Sequence, residues 1–461
     1  MYFSLYLCSA MEWISKYTSC YKSLLTLASP VIASQAGQML VSIVDTAMVG
    51  SLGKEPLAAV AFAGNLTVPV TYAGIGVAIC TTPLIGKRIG RGRDDSAITC
   101  MANARIVNFA LGLAETLVLI LLWWLLPYMG QPTEVVEITR GYLPILIASI
   151  IPMQMFMGYK QIIEGLQNTS MAMKISIAGN IINVIVNYIL IYGWWIVPAI
   201  GVNGAAWGTL VSRLFMWIAI FVCFKHSTLC KPYSREVSSI KLNLRIIKRL
   251  FLTGLPVGGQ MIVECISFAL GGIMMGWISA AALAAHQVVM SFTSLTYMMV
   301  SGLASAVTIK VSVFNGQNDN ANVRRNSIAS IHIATAFMTL SSLCFVVGRK
   351  WLPSLFIDDT ETLSVAMGIM LVGASFQIFD GLQMVSLGVL RGLGDMRYPA
   401  IVSGVAYAAT CIPVAYLIGF VFDGGPNGVW CGYIAGLLLA SVMLLCRIRR
   451  KLPREESVYK S

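Results

Sequence analysis

The sequence predicts an all-α integral membrane protein, with twelve transmembrane helices in two six-helix lobes related by an internal repeat. Three observations carry this. Of 461 residues, 57% are hydrophobic and only 11% charged, far from soluble-protein usage. Apolar runs of about 20 residues or more recur, each long enough to cross roughly 30 Å of hydrocarbon. The first half then returns about 226 residues later. Met48, Gly50, Leu57, Ala58, Ala59, Thr67, Gly76, Ala78 and Gly90 reappear as Met274, Gly276, Leu283, Ala284, Ala285, Thr293, Gly302, Ala304 and Gly316. Pro30 and Pro256 keep the same offset, while Gly165-Leu166 returns as Gly392-Leu393, and Asn203-Gly204 with Gly208 returns as Asn427-Gly428 with Gly432.

In chain order, the first lobe (1–230) carries runs near 27–49, 57–84, 98–126, 137–164, 172–194 and 201–224. A polar, basic linker (231–247) falls where the repeat restarts. The second lobe (248–461) carries runs near 248–275, 283–309, 325–348, 363–389, 398–421 and 428–447. None alternates with period two, so helices rather than barrel strands are expected. Pro30 and Pro256 open the first span of each lobe, and Pro69, Pro152 and Pro413 are expected to kink theirs. The 41 glycines suit helices packed closely in lipid.

The net charge of +12 suggests nucleic acid at first sight, but its placement makes a basic RNA-binding patch the weaker reading. Lys87, Arg88, Arg91, Arg93, the linker bases, Arg324, Arg325, Arg391 and Arg397 fall in the termini and alternate loops, against Lys54, Arg140, Arg349 and Lys350 on the other face. This positive-inside asymmetry predicts a multi-pass protein of the cell inner membrane with both termini cytoplasmic. Eleven scattered cysteines without a CxxC pair support neither a disulfide framework nor a structural metal site, and no cofactor is expected. His286 reads as a packed, hydrogen-bonded residue at a helix start. The N-terminus lacks a signal-peptide pattern; residues 1–20 read as an amphipathic lead-in or as an over-extended start upstream of Met11.

A carboxylate in mid-bilayer costs at least about 2.5–3.5 kcal/mol, so those present demand a use. Asp45, Glu115, Glu264 and Asp380 fall well inside spans, where the bases are Arg105 and Arg213, both placed near cytoplasmic ends. The duplication sharpens this: Asp45 corresponds to Gly271, and Glu264 to Gln38. The scaffold was copied and the charges were not. Helical spacing then groups polar side chains into stripes: Gln35, Gln38, Ser42 and Asp45 in the first span, and Asn180, Asn183 and Asn187 in the fifth. Gln260 stands one turn before Glu264, and Gln377 and Gln383 flank Asp380. Amides beside one acid suit an aqueous cavity wall or cation site; interhelical hydrogen bonding is the plainer use of the amides alone. Glu115, without such a stripe, reads as structural, paired with Arg105 or reaching into the lobe interior. Asp358, Asp359 and Glu361 form an acidic outer loop.

Together these residues resemble the multidrug and toxic compound extrusion (MATE) family, in its bacterial norfloxacin-exporter-like branch. The likeness covers about residues 20–450 and rests on Val44-Asp45-Thr46-Ala47-Met48-Val49-Gly50, Ala284-Ala285-His286-Gln287-Val288 and Val389-Leu390-Arg391-Gly392-Leu393-Gly394-Asp395, in that order within a duplicated chain. The resemblance implies two six-helix lobes exporting drugs in exchange for Na⁺ or H⁺. It assigns cation coupling to Glu264, Asp380 and Asp45. Asn180, Asn183, Asn187 and Thr209 are the first-lobe cation ligands it suggests, where relatives often carry an aspartate in the fifth span. Phe376 stands where some relatives place a tyrosine, and Asp358 and Asp359 match an external drug-contacting pair.

The expectation is therefore a Na⁺- or H⁺-coupled antiporter, working as a monomer, that moves amphipathic organic cations and drugs by alternating access between lobes. Gln35, Gln38, Gln260, Gln287, Phe376, Gln377 and Gln383 are the residues expected to line its substrate cavity. The rival is a lipid-linked oligosaccharide flippase of the same architecture, which should line its cavity with Arg and Lys. No HExxH, paired-aspartate or nucleophile-elbow motif supports an enzyme.

Overall fold

A computed structural model describes residues 2–195, 197–237 and 242–452, leaving aside the side chains of residues 2–16 and of Arg235. Among these residues, twelve helices are long and apolar enough to span a membrane: span 1 (Tyr17–Gly50), span 2 (Lys54–Gly90), span 3 (Asp94–Tyr128), span 4 (Thr133–Gly165), span 5 (Thr169–Tyr192), span 6 (Val202–His226), span 7 (Leu244–Ile278), span 8 (Ala280–Gln317), span 9 (Asn320–Gly348), span 10 (Thr360–Gly392), span 11 (Arg397–Val421) and span 12 (Gly425–Lys451). They outrun the apolar stretches because capping and charged ends continue each helix. Asn168, Ser279, Asp319 and Asp359 accept backbone N–H bonds at the starts of spans 5, 8, 9 and 10. Arg449, Arg450 and Lys451 close span 12, where the helix dipole favours cations. The helix of span 1 continues back to Tyr2, and the expected linker holds a short helix, Lys231–Val237.

The prolines divide: Pro152 follows the break in span 4 and Pro413 sits among π turns, as expected, whereas Pro30 and Pro256 lie within their helices and do not open them. Pro30, Pro69 and Pro256 sit inside unbroken helix, whereas span 2 changes segment at Cys80 and span 4 at Ser149. Span 11 alternates α turns with wider π turns, Gly404–Cys411 and Leu417–Val421, around Pro413. Proline has no N–H to give an α-helical ladder, and a π stretch absorbs that loss.

The repeat survives at the level of single contacts. Gly165 lies against Ile85 and the Thr82 carbonyl, just as Gly392 lies against Val311 and the Thr308 carbonyl. Thr82 Oγ1 donates to the Gln161 carbonyl at 2.9 Å, and Thr308 Oγ1 to the Gly388 carbonyl at 2.9 Å. Gly141 meets Asn203 as Gly368 meets Asn427.

The chain forms two compact units, one of residues 33–261 and the other of residues 1–32 with 262–461. They divide inside spans 1 and 7 and not at the linker, so each unit holds the leading part of the helix that opens the other repeat. Glycine permits this: Gly76 meets the backbone of Gly258 in the first unit, and Gly302 meets the backbone of Ile32 in the second. These pairs are again equivalent by repeat. Around the second crossing Leu24 and Ala28 join Leu303, Val307 and Val311 in one buried cluster.

Candidate functional site

In the first unit, span 5 brings its amide stripe to Asp45 of span 1. Asn187 Nδ2 donates to Asp45 Oδ1 at 2.7 Å. The Asn183 amide, turned with its nitrogen toward the carboxylate, lies 3.2 Å from both Asp45 oxygens while its oxygen faces the Thr209 N–H at 3.3 Å. Thr209 donates its hydroxyl proton back to the Ala205 carbonyl, which leaves its oxygen an acceptor. Asn187 Oδ1 and Asn180 Nδ2 are buried without partners. Gly208 lets span 6 pass so close that any Cβ there would strike Asn187 Oδ1. The second unit closes the same place: its glycine at the Asp45 position, Gly271, abuts the Tyr433 hydroxyl, and Gly432 packs on Ala415 where Gly208 meets Asn187.

The second unit builds its nest two turns earlier along the same helical face, at Glu264, the counterpart of Gln38. Tyr407 Oη lies 2.9 Å from Glu264 Oε1 and 3.1 Å from Gln383 Oε1. A phenol has one proton, so it serves both acceptors only if the Gln383 amide turns or Glu264 carries a proton of its own. Asp380 is 4% exposed, and its Oδ2 has no partner. It feels the charge of Glu264. Gln377 Oε1 accepts from Thr296 at 2.8 Å, and its Nε2 is unpartnered. Carboxylate, amide and phenol oxygens with unfilled lone pairs are what a hard monovalent cation or a proton requires. Sequence reasoning missed Tyr407, which sits on the π stretch of span 11; only the irregular local helix, invisible in composition, points to it.

The other expected residues divide. Gln260 is buried, Gln35 half-buried, and Gln38 and Gln287 exposed. Phe376 is buried in an aromatic cluster, with ring centroids 5.5 Å from Trp430 and 6.3 Å from Phe268. His286 belongs to that cluster and accepts from Trp430 Nε1 through Nδ1 at 3.2 Å. Asp358 is exposed, and Asp359 caps span 10 by accepting from both the N–H and the hydroxyl of Thr362. Among the described residues no group of three acids, histidines or cysteines could hold a metal ion.

Two expectations about the bases are corrected. Arg105 does not pair with Glu115; its Nη2 donates to the Val237 carbonyl at 2.9 Å, anchoring the linker helix. Arg213 is not at a cytoplasmic end but near the middle of span 6, where its Nη1 donates to Ser149 Oγ at 2.7 Å, at the break in span 4. Among the described residues, the ion pairs are Lys160 with Glu164, and Arg447 and Lys451 with Asp395. Asp45, Glu264 and Asp380 are in none of them.

A family model described as MatE matches residues 30–189 and 256–417, one segment in each repeat. The probable multidrug resistance protein NorM of Agrobacterium fabrum (strain C58 / ATCC 33970) is 29% identical over 449 residues, covering 96% of both chains. Among solved structures, the eukaryotic MATE transporter AtDTX14 superposes with a TM-score of 0.84 at 20% identity, covering 96% of this chain and 98% of its own. The Vibrio cholerae MATE transporter VcmN in its bent form gives 0.83 at 20% identity, over 96% and 99%. A MOP superfamily transporter from Pyrococcus furiosus gives 0.86 at 20%, over 96% and 97%. At such identities the structures establish the twelve-helix, two-lobe fold.

Proposed function

The chain belongs to the MatE family of transporters, and from that premise we propose that it is a cation-coupled antiporter exporting amphipathic organic cations and drugs. The observation that carries this reading is a lone carboxylate nest in each unit. Asp45 stands with Asn183, Asn187 and Thr209; Glu264 and Asp380 stand with Tyr407 and Gln383. Among the described residues neither nest holds an ion pair, although the charge of Arg391 reaches Glu264, so a visiting cation supplies the close counter-charge: Na⁺ or H⁺ in one step, cargo in the other. The named relative, a probable multidrug resistance protein, supports drugs as cargo. Each elementary charge entering gains about 2.3 kcal/mol per 100 mV, enough for roughly a 50-fold gradient of neutral cargo. Exchange of one ion for one monovalent cationic drug cancels that gain, so such cargo is driven by the ion gradient alone.

A flippase for pyrophosphate-linked sugars needs converging cations. The first unit offers one mid-span guanidinium, Arg213, already held by Ser149. Acidic nests favour cationic cargo. The inner membrane, cytoplasmic termini and monomeric action are part of the same proposal, resting on the loop-charge asymmetry and on both repeats lying in one chain.

The test is ethidium or norfloxacin efflux from vesicles under separately imposed Na⁺ and H⁺ gradients. Glu264→Gln, Asp380→Asn and Asp45→Asn are each expected to lower ion-driven efflux at least tenfold while leaving expression intact. Three variants that pump like the parent would remove the nests from coupling, and a response to only one gradient identifies the ion.

A further inference from the structure

Glu115, in span 3, belongs to neither nest. It is 4% exposed, and neither carboxyl oxygen has a hydrogen-bond partner. Opposite it on span 4 stands Gln154, fully buried, with Oε1 also unpartnered and Nε2 donating to Asn108 Oδ1 at a long 3.2 Å. Gly74 of span 2 makes the space: a Cβ there would collide with Glu115 Oε1 and stand 2.7 Å from Gln154 Nε2. Carboxyl and amide thus share one glycine-lined cradle with three acceptor oxygens, and the donors nearest the carboxyl, the Gly74 N–H and Gln154 Nε2, make no full hydrogen bond to it.

We propose that Glu115 is a proton-exchange site of the first repeat, with Gln154 the amide that serves both of its protonation states. This rests on the antiport reading. In the loaded state the Glu115 O–H donates to Gln154 Oε1. When the proton leaves to water, the Gln154 amide turns, and Nε2 exchanges Asn108 Oδ1 for the carboxylate. Asn108 keeps its own donor on the Ala104 carbonyl at 2.8 Å, so it does not compete. A proton is the smallest ligand that satisfies these oxygens.

The ionisable groups within the packed spans are otherwise engaged or remote in charge. They include Tyr72 on span 2, Arg105 on span 3, and Tyr142, Tyr159, Lys160 and Glu164 on span 4. Among the described residues no charge acts on Glu115. Arg105 is bonded to Val237, and Lys160 to Glu164. In the second repeat the glycine is replaced by Val300 and the acid falls at Ser341-Ser342. The site therefore occurs once, as a copied scaffold element with added charge.

The test uses the full chain in lipid nanodiscs, followed by infrared spectroscopy from pH 5 to 9, beside vesicle efflux. The parent should show a protonated-carboxyl band that titrates in this range and is lost in Glu115→Gln. Gln154→Leu should shift its midpoint by at least one pH unit. Glu115→Gln should fold and lose at least tenfold in H⁺-driven efflux. A band of constant intensity, a carboxylate that responds to Na⁺ instead of pH, or a Glu115→Gln variant that pumps with the parent's pH profile would each overturn the proposal. If Glu115→Gln does not fold, Gly74→Ala replaces it: an unmoved midpoint in that variant also overturns it. A parent that pumps nothing refutes the antiport reading instead, and the infrared titration then decides the site alone.

Discussion

Tyr407 joins Glu264 to Gln383 with a single hydroxyl, which makes it the most economical point at which to disturb the second nest. A hydrogen bond to a charged group contributes about 1.5–3 kcal/mol, equivalent to about ten- to a hundredfold in an equilibrium constant. Tyr407→Phe keeps the ring and its packing on Phe268, whose centroid lies 6.0 Å away. It is therefore expected to raise the ion concentration for half-maximal efflux by that factor, and to lower stability by no more than about 1.5–3 kcal/mol. An unchanged half-saturation would take Tyr407 out of the site. The acids themselves were legible in the sequence because a lone carboxylate in an apolar run is costly wherever its helix turns. Tyr407 was not: tyrosine is ordinary in a span, and nothing in composition marks a π stretch. Glu115 was legible as a residue but not in its surroundings, since its Gly74–Gln154 cradle is assembled from two other spans.

Among the elements, the loop after span 10 is tied to the end of span 12 by one carboxylate. Asp395 accepts from Arg447 Nε at 2.9 Å and from Lys451 Nζ at 2.8 Å. Burial pushes this carboxyl up, but the hydrogen bonds from Lys451 and Arg447 outweigh it and hold the pKa below its ordinary 3.8. A depressed folded-state value means that the bonds stabilise the protein fully above the ordinary value and are lost as pH falls through the folded one. The parent's melting temperature should thus fall more steeply below about pH 4 than that of Asp395→Asn, which lacks this titration. At pH 7 the variant should be less stable by about 1.5–3 kcal/mol. Parallel curves for the two proteins would show that the pair contributes nothing. The acid was visible in sequence only as part of a family-like segment. Its partners lie about 50 residues on, in a helix end that reads simply as a basic cytoplasmic tail.

For the whole molecule, the sequence shows twelve spans and a duplication because both are written in hydrophobicity and in glycine placement. The repeat goes deep enough for Gly165 and Gly392 to find equivalent carbonyls. The depth of Arg213 was misread because an apolar run fixes a helix's existence better than its ends. The division inside spans 1 and 7 left no mark at all, since an amphipathic lead-in looks alike whichever bundle receives it. That exchange makes the two halves of the polypeptide mutually dependent for completion. Severing the backbone between Val237 and Leu244 gives one fragment missing the Gly258 stretch that Gly76 packs on, and another missing the Ile32 stretch that Gly302 packs on. Neither fragment should accumulate when made alone, whereas both made in the same cell should rescue one another and copurify. A lone fragment that survives detergent extraction at parental yield would mean that each half is self-sufficient.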